Sequence, residues 1–283
     1  MYLLFIYFKL NLSIKGGVFK LSQLDTYTMN DGRHIPVFGF GTAELEGEEA
    51  TQSTVDALEM GYRLVDTSPN YGNEVEVGKG IQSALEKGLS RENLFLTTKV
   101  ESEDMSQDGV MKSVDESLNR LNLDYIDLLL IHTPDEDEEV NVNTWKGMEA
   151  AVHSGKVKSI GVSNFKPKDL SPVLKSATIK PVINQVEYAP GDVDWDTKDY
   201  CEKESIIIMA YSPLKKGKIN DSVITDLADK YNKSPQQIAL RWAIDCHTIP
   251  IPRSGNKEHI KDNIAVFDYS LTAEEVETIN QLD

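Results

Sequence analysis

The sequence has few cysteines and few basic residues, and both shortages exclude classes of protein. Its 283 residues include only Cys201 and Cys246, which lie far apart and form no Cys-x-x-Cys motif. A disulfide scaffold and a thiolate metal site are therefore excluded, and we expect both thiols to be small buried groups in a reducing compartment. The 29 basic residues face 46 acidic ones, which gives a net charge of −17. Because such a surface repels phosphate backbones, we expect no nucleic-acid partner.

Long hydrophobic runs are also missing. The longest apolar stretch, residues 1–8, is about half of the roughly 18 residues that a membrane span requires. No basic stretch precedes it and no small-residue cleavage site follows it, so it is a poor signal peptide. We therefore expect a cytoplasmic protein with no membrane partner.

Residues 1–22 differ from the rest of the chain, because they are apolar and basic and almost free of acidic residues. Two interpretations stay open: an N-terminal arm, ordered or disordered, or a translation start upstream of the true one. The second is weakly favoured, since Lys15-Gly16-Gly17 could be translated from a purine-rich ribosome-binding sequence. We assign residues 23–283 to one domain.

The chain from Tyr27 onward alternates between strand and helix patterns. The turn sequence Asn30-Asp31-Gly32 predicts a β-hairpin. Helices are predicted to begin at Ser234, before Pro235, and at Thr272, where Glu275 completes a capping box. Eight short apolar runs predict strands at residues 37–41, 63–66, 94–99, 126–132, 157–163, 182–187, 206–211 and 247–250.

Most of these strands are apolar on both faces, which is typical of a parallel sheet covered by helices. Eight such repeats in about 250 residues predict an α/β fold, a single-domain (β/α)8 TIM barrel with the N-terminal hairpin closing its floor. The alternative is an open doubly wound sheet. That fold would normally carry Gly-x-Gly-x-x-Gly after its first strand, whereas Gly39-Phe40-Gly41 continues into Thr42-Ala43-Glu44.

Polar residues stand where the apolar runs stop. In a barrel these strand ends converge on one face, where barrel active sites lie. Each residue alone has a structural explanation: Asp66 could cap a helix, Lys99 could be solvated, and His132 could be a core histidine. Ionisable groups on three consecutive strands favour a functional site instead. The polar strand ends are Asp66, Lys99, His132, Ser163-Asn164, Asn184-Gln185, Tyr211-Ser212 and Arg253-Ser254.

Four segments resemble motifs of the aldo-keto reductase family: residues 61–74 (GYRLVDTSPNYGNE), 161–165 (GVSNF), 184–187 (NQVE) and 251–254 (IPRS). The resemblance runs from about Tyr27 to the C-terminus and implies an NAD(P)H-dependent carbonyl reductase on a barrel. By this resemblance Tyr71 is the proton donor, Lys99 tunes it, Asp66 pairs with Lys99, and His132 orients the substrate oxygen. A nearby ammonium favours the phenolate, so Lys99 is expected to lower the pKa of Tyr71.

The resemblance also implies the residues that bind the cofactor, expected to be NADPH with NADH as an alternative. Arg253 and Ser254 would bind the 2′-phosphate, because guanidinium binds phosphate through paired donors. The family has an arginine where His259 stands, which weakens this grip. The remaining cofactor contacts are Ser163, Asn164 and Gln185 at the carboxamide, Tyr211 at the ring, Ser212, Leu214 and Lys216 along the pyrophosphate, Asp262 and Asn263 at the adenine, and Thr42.

The substrate pocket departs from the family at Ala43, where many members have an aromatic residue, and at Thr133, where many have tryptophan. We therefore expect a wider pocket for a small carbonyl substrate in a monomeric, metal-free enzyme. Two other functions stay open. One is a non-enzymatic NADP(H)-binding regulatory subunit, and the other is a Schiff-base lyase that uses Lys99.

Overall fold

The computed structural model describes residues 21–214 and 218–282. Two predictions fall wholly or mostly elsewhere. The arm at residues 1–22 lies outside the described residues except for Leu21 and Ser22, and Lys216 lies outside them too.

The hairpin forms as predicted. Strand β1 (Thr26–Thr28) pairs antiparallel with β2 (His34–Pro36). Gly32 takes the left-handed φ of +85° that its turn requires. Asn30 Nδ2 donates to the carbonyl of Pro181 at 2.8 Å, just before a barrel strand begins. The hairpin therefore lies at the amino ends of the strands and closes the barrel floor.

Eight parallel strands follow, each paired with its neighbours in chain order. Two backbone hydrogen bonds join the first and last strands, from Gly39 N to Pro250 O at 3.0 Å and from Gly41 N to Pro252 O at 3.1 Å. They close the predicted barrel. The strands are β3 (Phe40–Gly41), β4 (Leu64–Asp66), β5 (Phe95–Val100), β6 (Ile126–Ile131), β7 (Val157–Ser163), β8 (Ile183–Glu187), β9 (Ile207–Tyr211) and β10 (Ile249–Pro250).

Helices surround the sheet, and β9 and β10 are each followed by two of them. The capping boxes predicted at Ser234 and Thr272 are both present. No helix in residues 21–214 or 218–282 is long and apolar enough to cross a membrane. The helices are α1 (Gly47–Glu59), α2 (Glu74–Glu86), α3 (Gln107–Leu121), α4 (Glu138–His153), α5 (Pro167–Ser176), α6 (Trp195–Lys203), α7 (Ser222–Tyr231), α8 (Pro235–Asp245), α9 (Lys257–Ile264) and α10 (Ala273–Asn280).

The barrel interior is filled by apolar side chains from alternate strand positions. Leu128, Leu130, Ile183, Met209 and Ile249 are all fully buried and pack in one cluster with the hairpin. This packing leaves the carboxyl ends of the strands as the open face of the barrel. The two cysteines are both free thiols, and the expectation of burial is met by Cys201 but only in part by Cys246.

Candidate active site

A cleft of about 470 Å³ opens at the carboxyl ends of the strands. Its size suits a ligand site. Most of the polar strand ends singled out in the sequence meet there, although they are far apart along the chain. The lining residues are Gly41, Ala43, Glu44, Asp66, Tyr71, His132, Ser163, Asn164, Gln185, Tyr211, Ser212, Pro213, Leu214, Ile251, Pro252 and Arg253.

A buried ion pair lies under the cleft. Lys99 Nζ donates to Asp66 Oδ1 at 2.8 Å, to the carbonyl of Thr67 at 3.0 Å and to Tyr71 Oη at 3.1 Å. The Lys99 and Asp66 side chains are 0% and 2% exposed. A short 3-10 turn (Pro69–Tyr71) directly after β4 brings Tyr71 over the lysine. The turn ends at Gly72, whose φ of +67° is left-handed.

The Lys99 ammonium is held in its charged form. Burial alone would lower the pKa of Lys99, but the charge of Asp66 and the hydrogen bonds to Asp66 and Tyr71 raise it above its usual value. Because an amine must lose its proton to attack a carbonyl, this environment disfavours a Schiff base on Lys99.

The pKa of Tyr71 differs from the sequence expectation. Burial raises the pKa of this phenol, and the nearby Lys99 charge opposes the shift without outweighing it, so the pKa stays above its ordinary value. The expected lower pKa took account of the Lys99 charge, but the burial of the phenol has the larger effect. Tyr71 therefore carries its proton at neutral pH, in the form that a general acid requires.

Two residues beside His132, Glu101 and Ser68, were not predicted from the sequence. Nδ1 of His132 lies 2.8 and 2.7 Å from the two carboxylate oxygens of Glu101, and the Ser68 hydroxyl donates to the same carboxylate. Glu101 stands two positions after Lys99, at the end of β5 beside the end of β6. A search for polar strand ends that continued past Lys99 would have found it.

The residues expected to bind the carboxamide form one connected network. Gln185 Nε2 donates to Asp66 Oδ2 at 2.7 Å. Asn164 Nδ2 donates to the His132 carbonyl at 3.0 Å, and the Tyr211 hydroxyl donates to Asn164 Oδ1 at 2.9 Å. The Ser163 hydroxyl joins the two parts of the network, since it donates to the Gln185 carbonyl at 2.8 Å and accepts from Asn164 Nδ2 at 3.1 Å.

At the mouth of the cleft, Arg253 forms an ion pair with Glu44. Thr42 is buried and its hydroxyl donates to the Asp66 carbonyl at 2.9 Å, so in this structure it supports Asp66. The other predicted contacts within the described residues do not line the cleft. Ser254 hydrogen-bonds to the backbone of Asn256, just before α9. Thr133 is exposed, and α9 carries His259, Asp262 and Asn263.

The donor set fits a nicotinamide dinucleotide. The cleft offers amide groups for a carboxamide, the partly buried Tyr211 ring for an aromatic face, and the Arg253 guanidinium for a phosphate. Three cleft residues, Glu44, Asn164 and Ser212, have positive φ without being glycine. Such backbone strain is typical of ligand sites. Within the described residues, no group of three or more His, Cys, Asp or Glu side chains could hold a metal ion.

The site belongs to a class of closed parallel barrels that carry a buried Asp-Lys pair beneath a tyrosine and a histidine. Comparison with known proteins identifies the family. A model of the Aldo/keto reductase family matches residues 37–283. A glyoxal reductase from Bacillus subtilis (strain 168) is 41% identical over 264 residues, covering 93% of this chain and 94% of that protein.

Solved structures agree. An aldo-keto reductase from Bombyx mori in complex with NADP has a TM-score of 0.87 and 39% identity, covering 93% of this chain and 94% of that one. An aldo/keto reductase from Brucella melitensis has a TM-score of 0.89 and 38% identity, with 93% and 99% coverage. The chain belongs to the aldo/keto reductase family. The predicted family, barrel and oxidoreductase class are thereby confirmed.

Proposed function

We propose that the protein reduces small aldehydes and ketones to alcohols with NADPH, and that Tyr71 is the general acid. The observation that carries the proposal is the 3.1 Å contact of Lys99 Nζ with Tyr71 Oη above a buried ion pair. The names of its relatives support the reaction class, since one is a glyoxal reductase and another was solved with NADP.

When bound, the nicotinamide supplies the hydride for the carbonyl carbon. Ser163, Asn164 and Gln185 would hold and orient its carboxamide, and Tyr211 would offer its ring as an aromatic face. The hydrogen bonds already present among these side chains fix their orientation before the cofactor arrives. Such preorganisation reduces the ordering required at the reactive step.

Tyr71 completes the reaction by giving its Oη proton to the substrate oxygen. The resulting phenolate would be unfavourable in this buried place, but it lies within hydrogen-bond distance of the Lys99 ammonium. Asp66 keeps Lys99 charged and in place. His132 binds the same substrate oxygen from beside Tyr71, since the two rings stand in T-shaped contact with centroids 6.0 Å apart.

The proposal is tested by measuring the activity of the purified protein with NADPH and with NADH. The substrates are glyoxal, neutral aldehydes and ketones, and the loss of NAD(P)H absorbance gives the rate. We expect turnover with NADPH and slower, measurable turnover with NADH. Tight NADPH binding without turnover on any carbonyl would instead support the regulatory subunit.

A further inference from the structure

The carboxylate of Glu101 has hydrogen-bond partners from three residues. It contacts His132 Nδ1 at 2.7 and 2.8 Å, accepts from the Ser68 hydroxyl, and lies 3.4 Å from the backbone N–H of Asn70. Glu101 is only 8% exposed. The family mechanism described above gives this residue no part.

This geometry fixes the position of one proton. An ionised carboxylate can only accept hydrogen bonds. The Ser68 hydroxyl has a single proton, and Glu101 accepts it. Nδ1 of His132 must therefore carry its own proton at this contact. Burial alone would raise the pKa of Glu101, but the hydrogen bonds from His132 and Ser68 lower it, in agreement with an ionised carboxylate.

With Nδ1 engaged, only Nε2 is left to meet a ligand. In neutral imidazole one ring nitrogen donates and the other accepts, so a proton held on Nδ1 makes Nε2 an acceptor. A carbonyl oxygen is also an acceptor and finds no partner there. Nε2 becomes a donor only when the ring takes a second proton.

We propose that Glu101 is a positioning residue that keeps the proton of neutral His132 on Nδ1, so that His132 binds a carbonyl oxygen only as the charged imidazolium. The part concerning the carbonyl rests on the proposed reductase function. The charge then stabilises the negative charge that develops on the oxygen, beside the proton donor Tyr71. Neutral His132 instead accepts at Nε2, which suits the hydroxyl of the alcohol product.

The other ionisable groups near His132 do not accept a hydrogen bond from its Nδ1. Tyr71 stands edge-on to the imidazole and keeps its proton, and Lys99 and Asp66 form a pair behind Tyr71. In the described contacts, Glu101 is the carboxylate that touches the ring. The position of the His132 proton is therefore assigned to its contact with Glu101.

Two variants separate the position of the proton from the charge. Glu101→Met removes the acceptor, and the Ser68 hydroxyl, 3.4 Å from Nδ1, can then donate to that nitrogen. The proton of neutral His132 should move to Nε2. Glu101→Gln keeps an acceptor for Nδ1 and removes the negative charge beside the ring. Glu103→Gln, at an exposed glutamate nearby, is the matched control.

The first measurement is nitrogen NMR of protein labelled in its five histidines, with the His132 signals identified by their loss in His132→Gln. For the neutral ring, we expect the proton on Nδ1 in wild type, Glu101→Gln and Glu103→Gln, and on Nε2 in Glu101→Met. An Nε2 proton in the wild type overturns the proposal, whatever reaction the protein performs.

The second measurement is kcat/KM for a neutral aromatic aldehyde across pH at saturating NADPH. In the wild type we expect kcat/KM to fall at high pH, where the ring is neutral, since a neutral ring protonated at Nδ1 offers the carbonyl oxygen no donor. The fall should persist in Glu101→Gln, whose amide oxygen still accepts from Nδ1, and largely disappear in Glu101→Met. Superimposable profiles contradict the role of Glu101, whereas absent turnover together with the expected NMR result contradicts only the reductase function.

Discussion

At the scale of single residues, Asp66 joins the two halves of the site. One carboxylate oxygen accepts from Lys99 and the other from Gln185, at 2.8 and 2.7 Å. Its backbone carbonyl accepts from both the N–H and the hydroxyl of Thr42. A single side chain therefore holds the buried Lys99 ammonium and the Gln185 amide at once.

Asp66→Asn should destabilise the fold as well as lower activity. The substitution leaves the fully buried Lys99 ammonium without its counter-charge, and breaking such a pair typically costs about 3–5 kcal/mol. Urea unfolding followed by circular dichroism measures the free energy of unfolding. Asp226→Asn, at an exposed position on α7, is the control and should change it by less than about 0.5 kcal/mol. A variant at Asp66 as stable as the control would show that Lys99 is neutral in the fold.

Tyr71→Phe should remove most reduction and leave NADPH binding intact. The substitution deletes the proton donor and keeps the ring, and general acid catalysis contributes about 10²–10⁴-fold. Turnover is measured with a neutral aldehyde, and the NADPH Kd by quenching of tryptophan fluorescence. Tyr200→Phe, on α6 away from the cleft, should behave as wild type. Turnover of Tyr71→Phe within tenfold of wild type would rule out Tyr71 as the acid.

At the scale of elements, the loops after β3 and β10 are joined by the ion pair of Glu44 with Arg253. Both side chains are partly exposed, 56% and 39%, and both line the cleft. Arg253 is the proposed ligand of the 2′-phosphate. The carboxylate and the phosphate therefore compete for the same guanidinium.

Glu44→Gln should tighten NADPH binding more than NADH binding. An exposed ion pair is worth about 0.2–1 kcal/mol, so the NADPH Kd should fall by about 1.5- to 5-fold. Titration calorimetry with each cofactor measures this, and Glu48→Gln, at an exposed glutamate on α1, is the matched control. Equal tightening for both cofactors would place the 2′-phosphate away from Arg253.

The sequence predicts elements and motifs better than it predicts contacts between distant loops. The hairpin, the strands and the capping boxes follow from short-range patterns, and the polar strand ends meet because parallel strands in a barrel end on one face. The pair of Glu44 with Arg253 spans 209 positions and depends on how the first and last strands close. No local pattern contains that register.

The same limit explains the pKa of Tyr71. The motif around Tyr71 indicates which charge lies nearby, but the extent of burial depends on the packing of the whole cleft. Here burial outweighs the Lys99 charge and raises the pKa. The residues that form a site can thus be predicted from sequence in cases where their electrostatic balance cannot.

At the scale of the whole molecule, the excess of acidic residues is concentrated partly on the face that carries the cleft. Exposed carboxylates follow β3 at Glu46, Glu48 and Glu49. Others lie after β6 in residues 135–139 and after β8 at Asp192, Asp194 and Asp196. Asp137 and Asp194 also cap α4 and α6. We propose that these three loops form an acidic rim, and the prediction of a monomer leaves this rim open to solvent.

An acidic rim should select against anionic substrates. Fields of this kind change encounter rates by about tenfold or more at low salt, and added salt screens them within about 10 Å at 0.1 M. We expect kcat/KM for a neutral benzaldehyde to exceed that for a carboxylated one at low salt, at saturating NADPH, and the ratio to shrink as salt is added. A benzaldehyde carrying a quaternary ammonium group is the control and should lose kcat/KM under the same change. A preference for the anion that does not respond to salt would mean that contacts inside the cleft, and not the rim, decide which substrates react.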